Sequence, residues 1–424
     1  MKRLSVNEKA AYTVALSMTA LFVCAAILSF CLMGMLGRAE KAYSSYRTEA
    51  EIKLSDLEKK KNRYNEELAE LEAKLDVAEK TRAELEMKLG QAEKDLKELE
   101  GNIDDPEGLY KKLSASVNEL KAQLETKNAE VTALKNDIKE LSVAYGADVN
   151  KQYEIVKQIY ELLEDGMGGS VSLYYLDTER GHTFGYGQDK QYPSACTVAV
   201  PFALSLLEAA SAEQLEYEKK LAEYSAANGG SEEIPGYTFK YDMSKTFVFD
   251  PEKTVSGSGI IKDSEAGTEY TYYQLFDLYL RYEDAVAGKE LVDAFGNSLR
   301  NTLLKDCGTV VMKNDVSKTT AFDLAAIMVR LKNFVYGDGE YVPLIKDAMK
   351  NSVHNVLITS GIPTKTVLHQ HGWSDGAYHD MALVMDEHPY MLVIATDLEG
   401  GEEVNKYFGK LAALIDKLHG TFYK

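Results

Sequence analysis

Tyr192-Pro193-Ser194-Ala195-Cys196-Thr197 opens an almost uncharged apolar stretch, Thr197–Ala210. A helix that is apolar all round is buried at the centre of a domain, so a central helix is expected here with Cys196 at its start. Before it, Ile155–Leu163 reads as an amphipathic helix, and Val171–Leu176 (VSLYYL) and His182–Gly187 read as strands. After it, residues 211–236 are polar, contain Gly229-Gly230, and read as a surface excursion. Thr271–Leu280 and Ala321–Phe334 read as helices. Val367–Trp373, Asp380–Met385 and Met391–Thr396 read as three strands joined by turn residues such as Ser374-Asp375-Gly376, and Val404–Leu418 as a closing helix. Strands at both ends with helices between predict an α+β domain over residues 146–424, one antiparallel sheet flanked by helices plus a helical lobe.

Further toward the N-terminus the composition changes. Residues 38–145 carry 45 charged side chains in 108 positions and no Trp, Phe or Cys, which cannot build a domain core. Their apolar residues run Leu57, Tyr64, Leu68, Leu71, Leu75, Ala78, Leu85, Leu89, Ala92, Leu96, Leu99 and Ile103, with Lys61 and Arg82 completing alternating steps of four and three. A second run comprises Leu113, Val117, Leu120, Leu124, Lys127, Val131, Leu134, Ile138 and Leu141. This is a heptad seam and predicts a coiled-coil stalk. A break is expected near 101–108, where Asp105 suits an N-cap and Pro106 a first helical position. The arms can fold back as an antiparallel hairpin or continue as a parallel oligomer; keeping the four-three register through Pro106 favours the second. Either way the stalk serves self-association or an envelope partner.

From Ala10 to Gly37 there are 28 residues without a charge, a helix of ~42 Å against a hydrocarbon core of ~30 Å. Residues 1–37 are therefore expected to be an uncleaved transmembrane anchor. Lys2, Arg3 and Lys9 before it favour a cytoplasmic N-terminus. The expected location is the cell membrane, single-pass, with the C-terminal domain extracytoplasmic. A net charge of −19 argues against nucleic acid as a partner. Four cysteines, two of them (Cys24 and Cys31) inside the apolar run, exclude a disulfide framework, and no zinc-ribbon spacing occurs. No cofactor is implied.

Taken in order, several strings of residues 150–424 resemble the penicillin-recognising serine hydrolases, class A β-lactamases above all. Tyr192–Thr197 is similar to that family's F-P-x-x-S-T-x-K. Gly257-Ser258-Gly259-Ile260 before Tyr270-Thr271 is similar to its G-S-G turn. Glu283-Asp284-Ala285-Val286-Ala287 stands where the family has S-D-N-x-A, and Leu291 to Gly296 resembles the helix and glycine turn that follow. Thr319–Ala325 resembles S-T-A-x-D-L-A, and Leu368–Trp373 with His379-Asp380 resembles its H-K-T-G strand and the start of the next. The resemblance implies a β-lactamase/transpeptidase-like fold.

It also implies a damaged catalytic set, because the family's chemistry uses S-x-x-K, S-D-N and K-T-G. The serine position holds Cys196 and the lysine position Ala199. Glu283, Asp284 and Ala285 replace S-D-N, and Gln370, His371 and Gly372 replace K-T-G. No E-x-x-L-N string follows; Asp306 and Asp315 lack that context, and Lys262 and Lys313 lie off the motifs. A positioned general acid or base is worth roughly 10²–10⁴ in rate, and such groups act as a unit. The expected function is a β-lactamase-like pseudoenzyme, a binding or scaffold protein of the cell envelope, with a peptidoglycan-type ligand in the residual cleft. One alternative is a hydrolase in which Cys196, favoured as thiolate at a helix start, works with His371 as base and Glu283 as orienter. Another is residual serine-hydrolase-like activity. A metal reading also exists: His369 and His371 share one face of a strand and His379 lies near the next, but no acid partner is fixed, and no metal is assigned.

Overall fold

A computed structural model describes residues 53–99, 107–145, 149–228 and 230–423. The apolar run 10–37 and most of the break near 101–108 lie outside the described residues. The chain divides into two compact units, Tyr160–Ile415 and Ile52–Ile159 with Asp416–Lys424.

In the second unit, α1 (53–99) and α2 (Glu107–Tyr145) run antiparallel. Lys135 pairs with Glu79 and Lys121 with Glu93, both at 2.8 Å, while the Tyr145 hydroxyl donates to Glu67 at 2.9 Å. As one arm's number rises its partner's falls, which only a hairpin allows. The continuous path favoured by register is thus not the one taken, because a four-three spacing reads the same in both directions. Within the two arms, Ala78, Val117 and Val131 are the buried apolar positions. The start of α3 (Val149–Asp165) joins this unit, with Asn150 donating to Asn65 and Lys61 paired with Glu154.

The first unit is built on five strands: β1 (Val171–Asp177), β2 (Thr183–Tyr186), β7 (Thr366–Ser374), β8 (Ala377–Met385) and β9 (Tyr390–Thr396). They are ordered β2-β1-β9-β8-β7, and every neighbouring pair is antiparallel. Four short strands complete two ribbons, β3 (Tyr192–Pro193) with β6 (Lys318–Thr319) and β4 (Thr246–Val248) with β5 (Glu269–Thr271). Central β9 is buried at every residue, as expected of a strand covered on both faces. Asp375-Gly376 closes the β7–β8 hairpin, with Gly376 at φ +68°, the left-handed conformation that a tight hairpin demands.

Between the two groups of strands lies the helical lobe: α4 (Ala199–Ala227), α5 (Tyr272–Arg281), α6 (Ala285–Phe295), α7 (Ser298–Asp306), α8 (Ala321–Val335), α9 (Val342–Lys350) and the short α10 (Ile358–Gly361). The first half of α4 is the central helix, with Val200, Phe202, Leu204 and Leu207 packed among Phe276, Leu324 and Met328. It passes by length and composition for a membrane span, yet most of that window is inside the fold. Beyond it, α4 runs on to Ala227 where a surface excursion was expected. Glu, Lys and Ala are strong helix formers, and Glu216 pairs with Lys220 one turn on. On the sheet, Met381 and Leu383 of β8 join the lobe core. Alternation turns Tyr378 to the opposite face, where its ring meets Phe408 of α11 (Glu402–Gly420) at 5.8 Å.

Candidate functional site

Cys196 sits on a 3-10 turn, Ala195–Val198, just ahead of α4. The turn is fixed from below: Ser194 Oγ donates to Val316 O at 2.6 Å, and Thr197 Oγ1 to Ser194 O at 2.5 Å. Ala195 takes φ +48°, a conformation that costs a residue with a Cβ. From the side comes edge strand β7. A Cβ at Gly372 would stand 2.7 Å from Thr197 Cγ2, so only glycine lets the strand and the turn approach this closely. The K-T-G glycine position is retained for packing.

The environment of the thiol opposes ionisation. Burial pushes the Cys196 thiol up to about 12, the Glu283 carboxylate beside it adds to the rise, and the Trp373 backbone N–H only partly offsets them. The helix start was expected to favour thiolate; desolvation and a neighbouring anion outweigh it. One turn on, at the lysine position, Ala199 is 1% exposed within the lobe core.

Glu283-Asp284-Ala285 divides into two parts. Asp284 is structural: Oδ1 caps α6 by accepting from Ala287 N at 3.0 Å, and Oδ2 accepts from Ile260 N and Ile261 N at 2.6 and 2.9 Å. A Cβ on Gly259 would fall 2.2 Å from that same oxygen, and one on Gly257 would fall 2.6 Å from the Ala285 methyl. The glycine loop and Asp284 therefore form one clamp, and Ala285 N closes it by donating to Ser258 O at 3.1 Å.

Glu283 turns the other way, at φ +53°, and its carboxylate is buried. Oε1 accepts from His371 Nδ1 at 3.0 Å and from Gln370 Nε2 at 3.3 Å. Oε2 lies 3.7 Å from His354 Nε2. The His354 and His371 rings are stacked, with centroids 4.6 Å apart and planes at 31°, and Tyr378 meets His371 edge-on at 5.2 Å. Burial holds His354 below the ordinary histidine range. The nearest ligand atoms of Glu283, His354 and His371 all lie within 4.8 Å of one another, so these three can hold a metal ion.

The histidine trio read from the sequence does not assemble. His369 Nδ1 donates to Asp380 Oδ1 at 3.1 Å in a fully buried pair. His379 donates from Nε2 to Pro193 O at 2.9 Å and accepts from Thr396 N at Nδ1, 3.1 Å. Two backbone groups thus fix its neutral tautomer, and burial pushes it down to about 4. His371 finds its acid in Glu283 and its second imidazole in His354, which the sequence did not single out: it lies in the irregular segment between α9 and α10, where no periodicity marks a residue.

His354 and His371 form one wall of a cleft of about 560 Å³, completed by Trp373, Asp375, Tyr378 and Glu399 among others. Cys196 does not line it. The structure thus groups Gln370, His371 and Glu283 in one network, leaves Cys196 beside Glu283 and off the cleft lining, and gives Ala199, Asp284, Ala285 and Gly372 to packing.

A family model described as "Beta-lactamase enzyme family" matches residues 154–418. Beta-lactamase SME-1 of Serratia marcescens is 32% identical over 78 residues, 18% of this chain and 26% of that protein, so the match spans about a quarter of that relative's length. Among solved structures, PBP-A is 16% identical with a TM-score of 0.49, over 63% of this chain and 96% of its own. The β-lactamase from Sphaerobacter thermophilus DSM 20745 is also 16% identical with a TM-score of 0.49, over 62% and 97%. The class A β-lactamase from Mycobacterium abscessus is 18% identical with a TM-score of 0.47, over 62% and 98%. Matched by that family model over more than half of its length, the chain belongs to the β-lactamase enzyme family.

Proposed function

We propose that this protein is a membrane-anchored, extracytoplasmic β-lactamase-like pseudoenzyme that binds a ligand or partner of the cell envelope and does not turn over β-lactams. The observation that carries this reading is Ala199, a methyl group sealed in the lobe core where the family's chemistry needs a base. Two further features support it. The thiol at the nucleophile position stays protonated near neutral pH beside a carboxylate. At the second lysine position Gln370 supplies no charge, and its Nε2 donates to Glu283 and the His371 carbonyl. A β-lactam carboxylate would therefore meet an anion in place of a cation.

Binding remains open to the fold. The cleft has the size of a small-molecule site, and Trp373 on its wall is 65% exposed, a flat apolar surface for a sugar or peptide of peptidoglycan type. In this reading the N-terminal anchor tethers the chain to the membrane, and the helical hairpin within 38–145, which brings Asn150 back beside Asn65, offers a surface for self-association or an envelope partner. Nitrocefin turnover by the purified full-length chain tests the catalytic half of this proposal. Hydrolysis is expected at background, and Cys196→Ser is expected to stay there because no base is restored. Saturable hydrolysis by wild type that Cys196→Ala abolishes would instead establish the cysteine-hydrolase alternative.

A further inference from the structure

We propose that Glu283, His354 and His371 form a zinc site, with its open coordination position on the cleft side. The argument begins with the donor set. Two imidazoles and one carboxylate are the ligands of a common catalytic zinc arrangement, in which water takes the fourth position. Zinc–ligand bonds of ~2.0–2.1 Å in a tetrahedron place neighbouring ligand atoms about 3.3 Å apart. Here His371 Nδ1 stands 3.0 Å and His354 Nε2 3.7 Å from the two Glu283 oxygens. The three ligand atoms lie within 4.8 Å of one another, so an ion would draw the Glu283 contacts by a few tenths of an ångström and the two imidazole nitrogens together by up to about 1.5 Å, a movement that side-chain rotation of half-exposed His354 supplies.

The surroundings match a built site. The Glu283 side chain is 3% exposed, and its ion-pair partners among the described residues are the two imidazoles alone, with no lysine or arginine. A buried carboxylate without a cation is costly, and a divalent ion between the three side chains would remove that cost. Gln370 holds Oε1 of Glu283 from behind and Tyr378 backs the His371 ring, the outer contacts that orient ligands and support affinity. His354 and His371 line the cleft while Glu283 does not. An ion held by all three therefore has protein behind it and the cleft in front. On binding, His371 would present the Nδ1 lone pair and carry its proton on Nε2. Nothing in this assignment depends on Cys196 or on buried Ala199, which carries the functional reading above, although a bound ion would neutralise the Glu283 charge invoked there.

The test uses the tag-free full-length chain in detergent, stripped with a chelator and titrated with Zn²⁺ by calorimetry, then with Co²⁺ by visible absorbance. One Zn²⁺ per chain is expected, with Co²⁺ giving the intense d–d bands of a four- or five-coordinate site. His354→Ala removes a partly exposed side chain and should fold normally; it is expected to weaken Zn²⁺ binding at least tenfold, as is Glu283→Gln. His388→Ala, away from the cluster, should leave it unchanged. The wild-type Co²⁺ spectrum does not rely on any variant folding. Absence of stoichiometric uptake would overturn the assignment, as would affinity unchanged in His354→Ala. A sulfur-to-cobalt charge-transfer band lost in Cys196→Ser would also overturn it, by placing the ion on the thiol.

Discussion

His379 shows how a side chain in a catalytic-looking neighbourhood can be wholly committed to the fold. Its Nδ1 lone pair is used by Thr396 N–H and its Nε2–H by the Pro193 carbonyl, so a proton on Nδ1 breaks one bond and buries a charge. The folded-state value of about 4 lies below the ordinary 6.5, so the unfolded chain binds the proton first. Stability from this group is complete above pH 6.5 and is lost as pH falls toward 4, on the order of 3 kcal/mol in total. His369 acts in the other window. Burial alone would lower it, but Asp380 more than reverses that and raises it, so its contribution fades only as pH rises above the ordinary histidine range. Urea unfolding followed by near-UV circular dichroism should therefore show a declining midpoint between pH 6.5 and 4, with a shallower decline in His379→Gln. Identical slopes would remove His379 as the cause. The same residues show what the sequence could and could not convey. Motif spacing located Glu283, Gln370 and His371 and set Glu283 as the orienter of His371, but the tautomer of His379 and the stacking of His354 on His371 depend on contacts across the sheet edge. His354 was invisible because a loop residue announces itself by no period.

At the scale of elements, strands were legible as short runs bounded by turn residues. Val367–Trp373 and Met391–Thr396 translate directly into β7 and β9, which are buried almost throughout. Direction in the helical pair was not legible, since Leu and Val at four-three spacing fit a seam of either sense. The hairpin predicts a proximity that a parallel oligomer does not. Glu93 and Lys121 form an ion pair across the arms, so Glu93→Cys with Lys121→Cys, in a chain whose four cysteines are replaced, should be bridged by a short bismaleimide within one chain. The product should migrate as monomer at every dilution. Covalent dimers whose yield rises with concentration would contradict the hairpin. Losing the Glu93–Lys121 pair itself should cost little, because exposed ion pairs contribute about 0–1 kcal/mol.

For the whole molecule, the proposal joins an anchor, a stalk and a β-lactamase-family domain whose reactive positions have been given to packing and to an internal carboxylate network. The proposed orientation rests on the charge ahead of the apolar run: protease added to intact spheroplasts is expected to digest residues 146–424, and protection lifted only by lysis would reverse the topology. The central claim concerns chemistry, and intact-protein mass spectrometry after incubation with a penicillin addresses it most directly. Acylation needs a nucleophile, a base to take its proton and a cation for the substrate carboxylate; with a protonated Cys196, a buried Ala199 and an uncharged Gln370 beside Glu283, an unchanged mass is expected. A stable increase equal to one opened β-lactam, mapped to Cys196, would contradict the account.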